Sequence, residues 1–312
     1  MISIIFVLIG ILLLYYGAKI LVKGSSNLAI KIGISPMLVG LTVVAFGTSS
    51  PELFVSFIAG MQNSSDIALG NVVGSNICNI GLILGLASII MPVKVDINDI
   101  KLDLFIMIAA SLIVWLMILD KHLSHLDGII LLILIISYLF FKIKQSIRER
   151  KEIDLEIDDN SKVKSKGFYI FLIIAGLITL IIGSNLFIDG AISIARYLGV
   201  SNAIIGLSLV AFGTSLPELA TSIIAAIKKQ DEISLGNIIG SNIFNILFIL
   251  GFTSTFFQIN AGDIKTVDYL VMLFTSLIII PMGIVGKKYS RIDGFMLLLI
   301  YIAYIYYLYI NI

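Results

Sequence analysis

The stretch GLTVVAFGTSSPELFVSFIAGMQNSSDIALGNVVGSNICNIGLILG, residues 40–85, decides the fold of this chain. It places a carboxylate, hydroxyls, amides and a proline inside otherwise apolar sequence, where such polar groups are expensive if lipid surrounds them. The stretch returns at residues 206–251 as GLSLVAFGTSLPELATSIIAAIKKQDEISLGNIIGSNIFNILFILG, with no gap and more than half of its positions identical. One polar site is therefore encoded twice.

The composition indicates a protein that crosses a membrane several times. Of the 312 residues, 59% are hydrophobic and 13% are charged, and the mean hydropathy is +1.08. A chain of this length needs more polar surface to form a soluble globule. A membrane-spanning helix needs roughly 20 apolar residues, and charged or turn-rich breaks divide the chain into ten such segments. The predicted spans lie near residues 2–22, 35–60, 67–91, 103–119, 126–144, 167–188, 200–227, 233–256, 267–286 and 292–310.

The duplication divides the chain into two halves. A constant offset of 166 residues relates Gly17 to Gly183 and continues to Gly85 and Gly251. We therefore predict an all-α polytopic membrane protein in which residues 1–144 and 167–312 form two five-helix repeats. Because five is an odd number of crossings, the second repeat enters the membrane from the opposite side, and the repeats are inverted. Inverted repeats with interrupted helices at matching positions are typical of secondary transporters.

The loops predict the orientation of the chain in the cell membrane. The connection at residues 145–166 contains the densest basic run, and cytoplasmic loops are enriched in lysine and arginine. We therefore expect a cytoplasmic linker and two extracellular termini. The first segment lacks the basic start and cleavage site of a signal peptide and is interpreted as a retained helix. The single Cys78 excludes a disulfide framework within the chain.

Two copies of a short motif predict breaks in the second and seventh helices. The motif reads GTSSPE at residues 47–52 and GTSLPE at residues 213–218. Proline removes a backbone N–H and clashes with the carbonyl group four residues earlier, so a helix opens at this point. Carbonyl groups freed in this way must line a cavity inside the protein or meet a cation.

The acid of each motif is the strongest candidate for chemistry. Glu52 lies one turn after Thr48, so its carboxylate shares a helix face with the opened backbone, and Glu218 repeats the relation. No lysine or arginine is predicted at a comparable depth. Two carboxylates with backbone carbonyls and water make a plausible shell for Ca²⁺, which takes 6–8 oxygen ligands. The absence of histidine and of a thiolate pair from the motif argues against a soft metal.

The second part of each repeat supplies neutral oxygen atoms. LGNVVGSNICNI and LGNIIGSNIFNI place asparagine and serine side chains at four-residue spacing on one helix face. These residues are Asn71, Ser75 and Asn79 in the first repeat and Asn237, Ser241 and Asn245 in the second. Hydrogen bonding between helices is the alternative role for each of them. The G-x-x-x-G spacing in both segments predicts close helix packing.

On these motifs, GTS-x-PE and GN-x-x-GSN-x-x-N each present twice and in order, the chain closely resembles the sodium/calcium exchanger family of the cation/calcium antiporter superfamily. The resemblance covers both halves. It implies that two glutamates and two threonine carbonyls hold Ca²⁺ and that Na⁺ competes at overlapping sites. The implied ligands of both ions are Glu52, Glu218, Thr48 and Thr214. Those of Na⁺, or of the polar centre, are Ala45, Ser49, Ser75, Asn79, Ala211, Ser215, Ser241 and Asn245.

Two departures from relatives bear on the coupling ion. Many relatives, including potassium-dependent ones, carry aspartate where this chain has Asn245, which disfavours coupling to K⁺. Proton-coupled relatives tend to carry a further acid where Val73 and Ile239 stand, which favours Na⁺ over H⁺. Exchange of H⁺ for Ca²⁺ or another divalent cation stays open, and a cation channel is the weaker alternative.

Other functional classes have no support in the sequence. It contains no nucleophile and base pair, no H-E-x-x-H motif and no cofactor fingerprint, so we expect neither an enzyme nor a bound cofactor. It contains no nucleic-acid-binding motif. The expected partners are Ca²⁺ and Na⁺ as substrates and the lipid bilayer, without an obligatory protein partner.

Overall fold

The computed structural model describes residues 2–153, 165–198, 211–260 and 264–310, and these residues are almost entirely helical. The helices are α1 (Ile2–Ile32), α2 (Pro36–Thr48), α3 (Ser50–Met61), α4 (Ser65–Ile90), α5 (Ile97–Met117), α6 (His125–Ile153), α7 (Lys166–Tyr197), α8 (Ala211–Thr214), α9 (Leu216–Ile227), α10 (Asp231–Phe256), α11 (Thr266–Ile284) and α12 (Arg291–Ile310). Short 3₁₀ turns follow α5 and α11.

The described part of the chain confirms a multi-pass, all-α membrane fold. It contains 8 helices that are long and apolar enough to cross a membrane, or 9 if the bent pair α2 and α3 forms one span. The span predicted near residues 200–227 lies partly outside the described residues. Its later part corresponds to α8 and α9.

The predicted ends of the first and sixth spans, at residues 22 and 188, were wrong because both helices continue for about ten residues more. The reason is that α1 and α7 pack against each other along their whole length in antiparallel directions. A Cβ atom on Gly176 would lie 2.7 Å from the backbone nitrogen of Leu21, and one on Gly190 would lie 2.6 Å from the carbonyl oxygen of Ser3. Each helix is thus supported by its partner beyond the predicted end of the span.

Helices α4 and α10, which carry the duplicated asparagine segments, form the centre of the molecule. In the most apolar 18-residue stretch of α10, 94% is buried inside the protein. The corresponding value for α12, at the periphery, is 17%. A helix of moderate hydropathy can carry polar side chains in a membrane when other helices surround it. The centre of the fold is therefore also where the polar motifs meet.

Two small antiparallel sheets join the halves of the chain. Strand β1 (Val93–Lys94) pairs with β4 (Lys288–Tyr289), and β2 (His122–Leu123) pairs with β3 (Ile259–Asn260). The four strands lie in loops that are related by the sequence duplication. Each sheet therefore ties a loop of the first half to a loop of the second half.

Three of the helices in the described part of the chain contain π-helical turns, in which the hydrogen bonds span five residues instead of four. These turns cover Gly40–Val44 in α2, Asn79–Leu84 in α4 and Phe244–Leu250 in α10. Such turns are rare and often occur at functional sites. Here each lies in or next to one of the duplicated motifs.

Candidate cation-binding site

The predicted helix breaks are confirmed at Ser49 and Ser215. Ser49 has φ −82° and ψ 9°, and α2 and α3 meet there at a bend of 46°. Ser215 has nearly the same conformation, with φ −87° and ψ 6°. Pro51 and Pro217 then fall in the first turns of α3 and α9, where a proline needs no hydrogen-bond acceptor. Two helix N-termini are thereby placed inside the protein.

Glu52 and Glu218 lie in the first turns of these two helices. Each has only 1% of its surface exposed, and the two carboxylates are near enough to interact electrostatically. The ion pairs of the described residues involve other acids. A helix N-terminus favours a carboxylate, but it does not neutralise two of them.

Hydroxyl groups connect each glutamate to the other repeat. Ser49 donates a hydrogen bond of 2.8 Å to Oε1 of Glu218, and Ser215 donates one of 3.2 Å to Oε1 of Glu52. The breaks at the two serines make these bonds geometrically accessible, because they turn the hydroxyls toward the opposite motif. The site is therefore shared by the two repeats.

Further hydroxyl groups surround the carboxylates. The hydroxyls of Thr48 and Ser241 lie beside Glu218, and that of Thr214 lies beside Glu52. All three residues are buried. They bring to the carboxylates the oxygen atoms that the sequence motifs predict.

The other predicted sodium ligands lie on the same elements. Ser75 is buried and its hydroxyl lies 3.5 Å from that of Ser215. The carbonyl of Ala45 accepts hydrogen bonds from the Thr48 hydroxyl at 3.3 Å and from the backbone of Ser49 at 2.9 Å. Ala211 begins α8. The Ala45 carbonyl is thus already occupied by donors in this arrangement.

Asn71 and Asn237 hold the backbone of the glutamates. The side-chain nitrogen of Asn71 donates to the carbonyl of Glu52 at 3.1 Å and to the hydroxyl of Ser56 at 2.9 Å. Asn237 contacts the carbonyl of Glu218 at 3.4 Å in the same way. For these two residues the alternative role, hydrogen bonding between helices, is the one observed.

Four amide side chains meet at the centre of the site. Asn79 donates to Oδ1 of Asn242 at 2.9 Å, and Asn245 donates to Oδ1 of Asn76 at 3.1 Å. Asn76 and Asn242 were not predicted as site residues from the sequence, although both end the G-S-N triplet of their motif. Their duplication at the offset of 166 residues was the available signal.

These contacts leave buried oxygen atoms without donors. Within the described residues, no hydrogen bond reaches Oε2 of Glu52, Oε2 of Glu218, Oδ1 of Asn79 or Oδ1 of Asn245. A buried acceptor without a donor costs about 1–3 kcal/mol, and more when it is charged. Carboxylate and amide oxygens are ligands of hard cations. No group of three histidine, cysteine or acidic side chains that suits a metal occurs in the described ranges.

Close helix packing holds the site together. A Cβ atom on Gly236 would lie 2.7 Å from the carbonyl oxygen of Met37, and one on Gly240 would lie 2.6 Å from that of Leu41. The close helix packing predicted for this glycine pair is confirmed, and the neighbouring helix is α2. The residues that correspond to this part of α2 in the second repeat, 203–207, lie outside the described part of the chain.

Comparisons with known proteins agree with this arrangement. The sequence profile of one protein family, described as "sodium/calcium exchanger protein", matches residues 2–144 and 168–310. The sodium/calcium exchanger MaX1 of Methanosarcina acetivorans is 32% identical over 337 residues, which cover 96% of this chain and 96% of MaX1. The uncharacterized membrane protein MJ0091 of Methanocaldococcus jannaschii is 40% identical over 301 residues, which cover 95% of this chain and 94% of MJ0091.

A solved structure has the same fold. The sodium-calcium exchanger NCX_Mj, soaked with 2.5 mM Na⁺ and 0.1 mM Ca²⁺, matches with a TM-score of 0.84 and 37% sequence identity. The match covers 98% of both chains. The similarity therefore extends over the whole membrane domain and is not confined to the duplicated motifs.

Proposed function

Because the chain belongs to the sodium/calcium exchanger family, we propose that it is a secondary antiporter that exchanges Na⁺ for Ca²⁺ at the site around Glu52 and Glu218. The family is one of cation/Ca²⁺ antiporters of the membrane. The proposal adds the counter-ion and the site. The observation that carries it is the set of four buried oxygen atoms without donors, two of them on carboxylates.

The charge of the site supports competition between the two ions. One Ca²⁺ neutralises both carboxylates, whereas Na⁺ ions neutralise them one at a time on the same oxygen atoms. Glu52 and Glu218, with the carbonyls of Thr48 and Thr214, would hold Ca²⁺. Without a cation the pair of buried charges is unfavourable, which opposes the change between inward-open and outward-open states and so prevents uncoupled leak.

The flanking oxygen atoms would serve Na⁺. Two equivalent sets arise from the duplication, and Asn79 and Asn245 contribute amide oxygens at the centre. The sets that the family resemblance implies are Ala45, Thr48, Ser75 and Glu218 on one side and Ala211, Thr214, Ser241 and Glu52 on the other. In the structure the Ser241 hydroxyl lies beside Glu218 and the Ser75 hydroxyl lies beside that of Ser215, so the two sets adjoin each other. Ser49 and Ser215 orient the glutamates through their hydrogen bonds. The Ala45 carbonyl would exchange a hydrogen-bond donor for the ion.

Ten crossings in two inverted repeats are part of the proposal, and strand pairing supports them. Leu123 pairs with Ile259, so the two residues lie on the same side of the membrane and an even number of crossings separates them. Helices α6, α7 and α10 supply three. The segment that ends with α8 and α9 would supply the fourth, as the interrupted seventh helix.

The repeats would be residues 1–144 and 167–312, joined by a cytoplasmic linker at 145–166, with both termini outside the cell. The antiparallel pair α1 and α7 would be the moving part, which slides past the fixed site. Two observations support the assignment of α1 and α7 as the moving part. One is family analogy, and the other is that the two helices pack mainly on each other.

Two alternatives make different predictions. Exchange of H⁺ for Ca²⁺, or transport of another divalent cation, would use the same two glutamates. A channel would need no counter-ion. No cofactor is expected in any of these cases, because the site provides only oxygen ligands for the transported ions.

The test is Ca²⁺ uptake into liposomes that contain the purified protein. An outward gradient of Na⁺ should drive saturable uptake, and equal gradients of K⁺ or choline should not. Uptake driven only by a pH gradient would show that the counter-ion is H⁺ and not Na⁺. Uptake that is indifferent to every counter-ion would refute the antiporter and favour the channel.

A further inference from the structure

Three lysine side chains gather where α1 passes the end of α9. Lys228 lies in the turn that follows α9, and its Nζ donates a hydrogen bond of 3.1 Å to the backbone carbonyl of Lys19. Lys23 lies one turn further along α1, and both α1 lysines are close enough to Lys228 to affect its charge. We refer to Lys19, Lys23 and Lys228 as the basic patch.

The basic patch has no counter-charge among the described residues. Their ion pairs, defined by N–O distances of up to 4 Å, involve other lysines and a histidine. Lys228 is half-buried; burial lowers its pKa, and repulsion from Lys19 and Lys23 lowers it further. An anion bound between the three ammonium groups would relieve this repulsion.

The depth of the basic patch points to a lipid. Lys228 lies in the reversal between α9, which ends at Ile227, and α10, which begins at Asp231, so it marks a membrane surface. Tyr15 and Tyr16, one turn before Lys19 on α1, are 46% and 53% exposed. Exposed tyrosines are enriched at the level of the lipid headgroups. The Nζ of Lys19 lies 5.9 Å from the centre of the Tyr15 ring.

We propose that the basic patch binds the phosphate group of an anionic phospholipid, whose acyl chains extend along the exposed apolar surface next to Tyr16 and Ile227. Ile227 is 51% exposed, which leaves apolar surface beside the ammonium groups. A basic pocket between transmembrane helices at the headgroup level has the chemistry that recognises such lipids. A soluble phosphate ion would use the same ammonium groups but not the apolar surface.

The position of the lipid gives it a role in the protein. The basic patch joins α1 to α9, and α9 carries Glu218 in its first turn. A headgroup that contacts both helices binds best to one relative position of them and so favours that state. This consequence, unlike the binding itself, rests on the proposed movement of α1.

The binding is tested in detergent, without any measurement of transport. Thermal unfolding is followed for the wild type, for a triple variant Lys19→Gln, Lys23→Gln and Lys228→Gln, and for a control triple variant Lys101→Gln, Lys144→Gln and Lys288→Gln. The control removes three exposed lysines away from the basic patch. Each protein is measured alone, with phosphatidylglycerol, with phosphatidylcholine and with inorganic phosphate.

We expect phosphatidylglycerol to raise the unfolding temperature of the wild type and the control by a few degrees and to leave the basic-patch variant unchanged. Phosphatidylcholine and inorganic phosphate should have no effect. An equal shift in the basic-patch variant would overturn the proposal, and a full shift with phosphate alone would replace the lipid by a soluble anion. If the triple variant does not fold, the single variant Lys23→Gln is compared with wild type by native mass spectrometry. Unchanged retention of phosphatidylglycerol would then count against the site.

Discussion

Ser49 donates a hydrogen bond of 2.8 Å to Glu218, although the two residues lie in different halves of the chain and 169 positions apart. The duplication produces the reciprocal bond from Ser215 to Glu52. Each glutamate is thus oriented by a serine that ends a helix of the opposite repeat. One repeat alone supplies a glutamate but not the serine that donates a hydrogen bond to it, so this arrangement requires both halves of the chain.

Replacement of this hydroxyl should weaken ion binding. In Ser49→Ala, Glu218 loses the donor that fixes Oε1, and a hydrogen bond to a charged group contributes about 1.5–3 kcal/mol. We expect the Ca²⁺ concentration for half-maximal uptake to rise about tenfold or more. The control is Ser50→Ala, because the Ser50 hydroxyl donates to the Phe46 carbonyl of its own segment, at 3.1 Å. An equal effect of both substitutions would argue against the orienting role.

The amides of Asn76 and Asn242 should matter as much as those of the predicted ligands. In Asn242→Ala, Asn79 loses the acceptor of its 2.9 Å hydrogen bond, so its own oxygen is no longer aimed at the centre. We expect lower apparent affinity for both Na⁺ and Ca²⁺, measured by competition in the uptake assay. Asn98→Ala removes an exposed amide and serves as the control. Wild-type affinities in Asn242→Ala would contradict the account of the centre.

A buried ion pair between α5 and α6 should dominate the stability of that part of the protein. Asp103 is fully buried and contacts Nζ of Lys142 at 3.0 Å and the hydroxyl of Tyr138 at 2.9 Å. Lys142→Met leaves an unpaired carboxylate and should cost about 3–5 kcal/mol, read as a large fall in unfolding temperature. The exposed Lys144→Met should have little effect.

The double variant Asp103→Asn with Lys142→Met tests the cause. It removes both charges, so most of the lost stability should return. If the double variant is as unstable as Lys142→Met alone, the loss comes from packing of the lysine stem and not from the unpaired charge.

The contact between α1 and α7 should be intolerant of added volume. In Gly176→Ala the new methyl group would lie 2.7 Å from the backbone of Leu21, so the two helices must move apart. We expect a lower unfolding temperature and slower exchange. The control on the same helix is Gly167→Ala, where the nearest atom to the new methyl group is 3.9 Å away. Normal stability and rate in Gly176→Ala would show that the helices are not closely held.

Much of the fold followed from the sequence because lipid leaves few choices. Apolar segments of the right length must be helices, and Pro51 and Pro217 must interrupt theirs. The ends of α1 and α7 did not follow, because they depend on the packing of these two helices against each other. The pairing of Val93 with Tyr289 and of Leu123 with Ile259 joins residues far apart in the chain, and two-residue strands have no sequence signal.

The candidate site was predictable in its residue types but not in its contacts. Glu52 and Glu218 could be identified because a charged side chain inside a membrane-spanning segment is energetically costly and usually functional. Four-residue spacing suggested oxygen ligands, yet it could not separate Asn71, which holds the Glu52 carbonyl, from Asn79, whose oxygen is left without a donor. That difference depends on which neighbouring helix each face meets. The orienting hydrogen bonds of Ser49 and Ser215 needed the relative position of the two repeats.

We propose that Glu52 and Glu218 together form the site at which Na⁺ and Ca²⁺ compete. The most direct test measures Ca²⁺ uptake into liposomes, driven by an outward Na⁺ gradient, for Glu52→Gln and Glu218→Gln, with Asp99→Asn as a control for an acid outside the site. Each glutamine variant should lose uptake while it still folds, and the Asp99→Asn control should retain uptake. Sodium-driven uptake at the wild-type rate in either glutamine variant would rule out a shared site of these two glutamates.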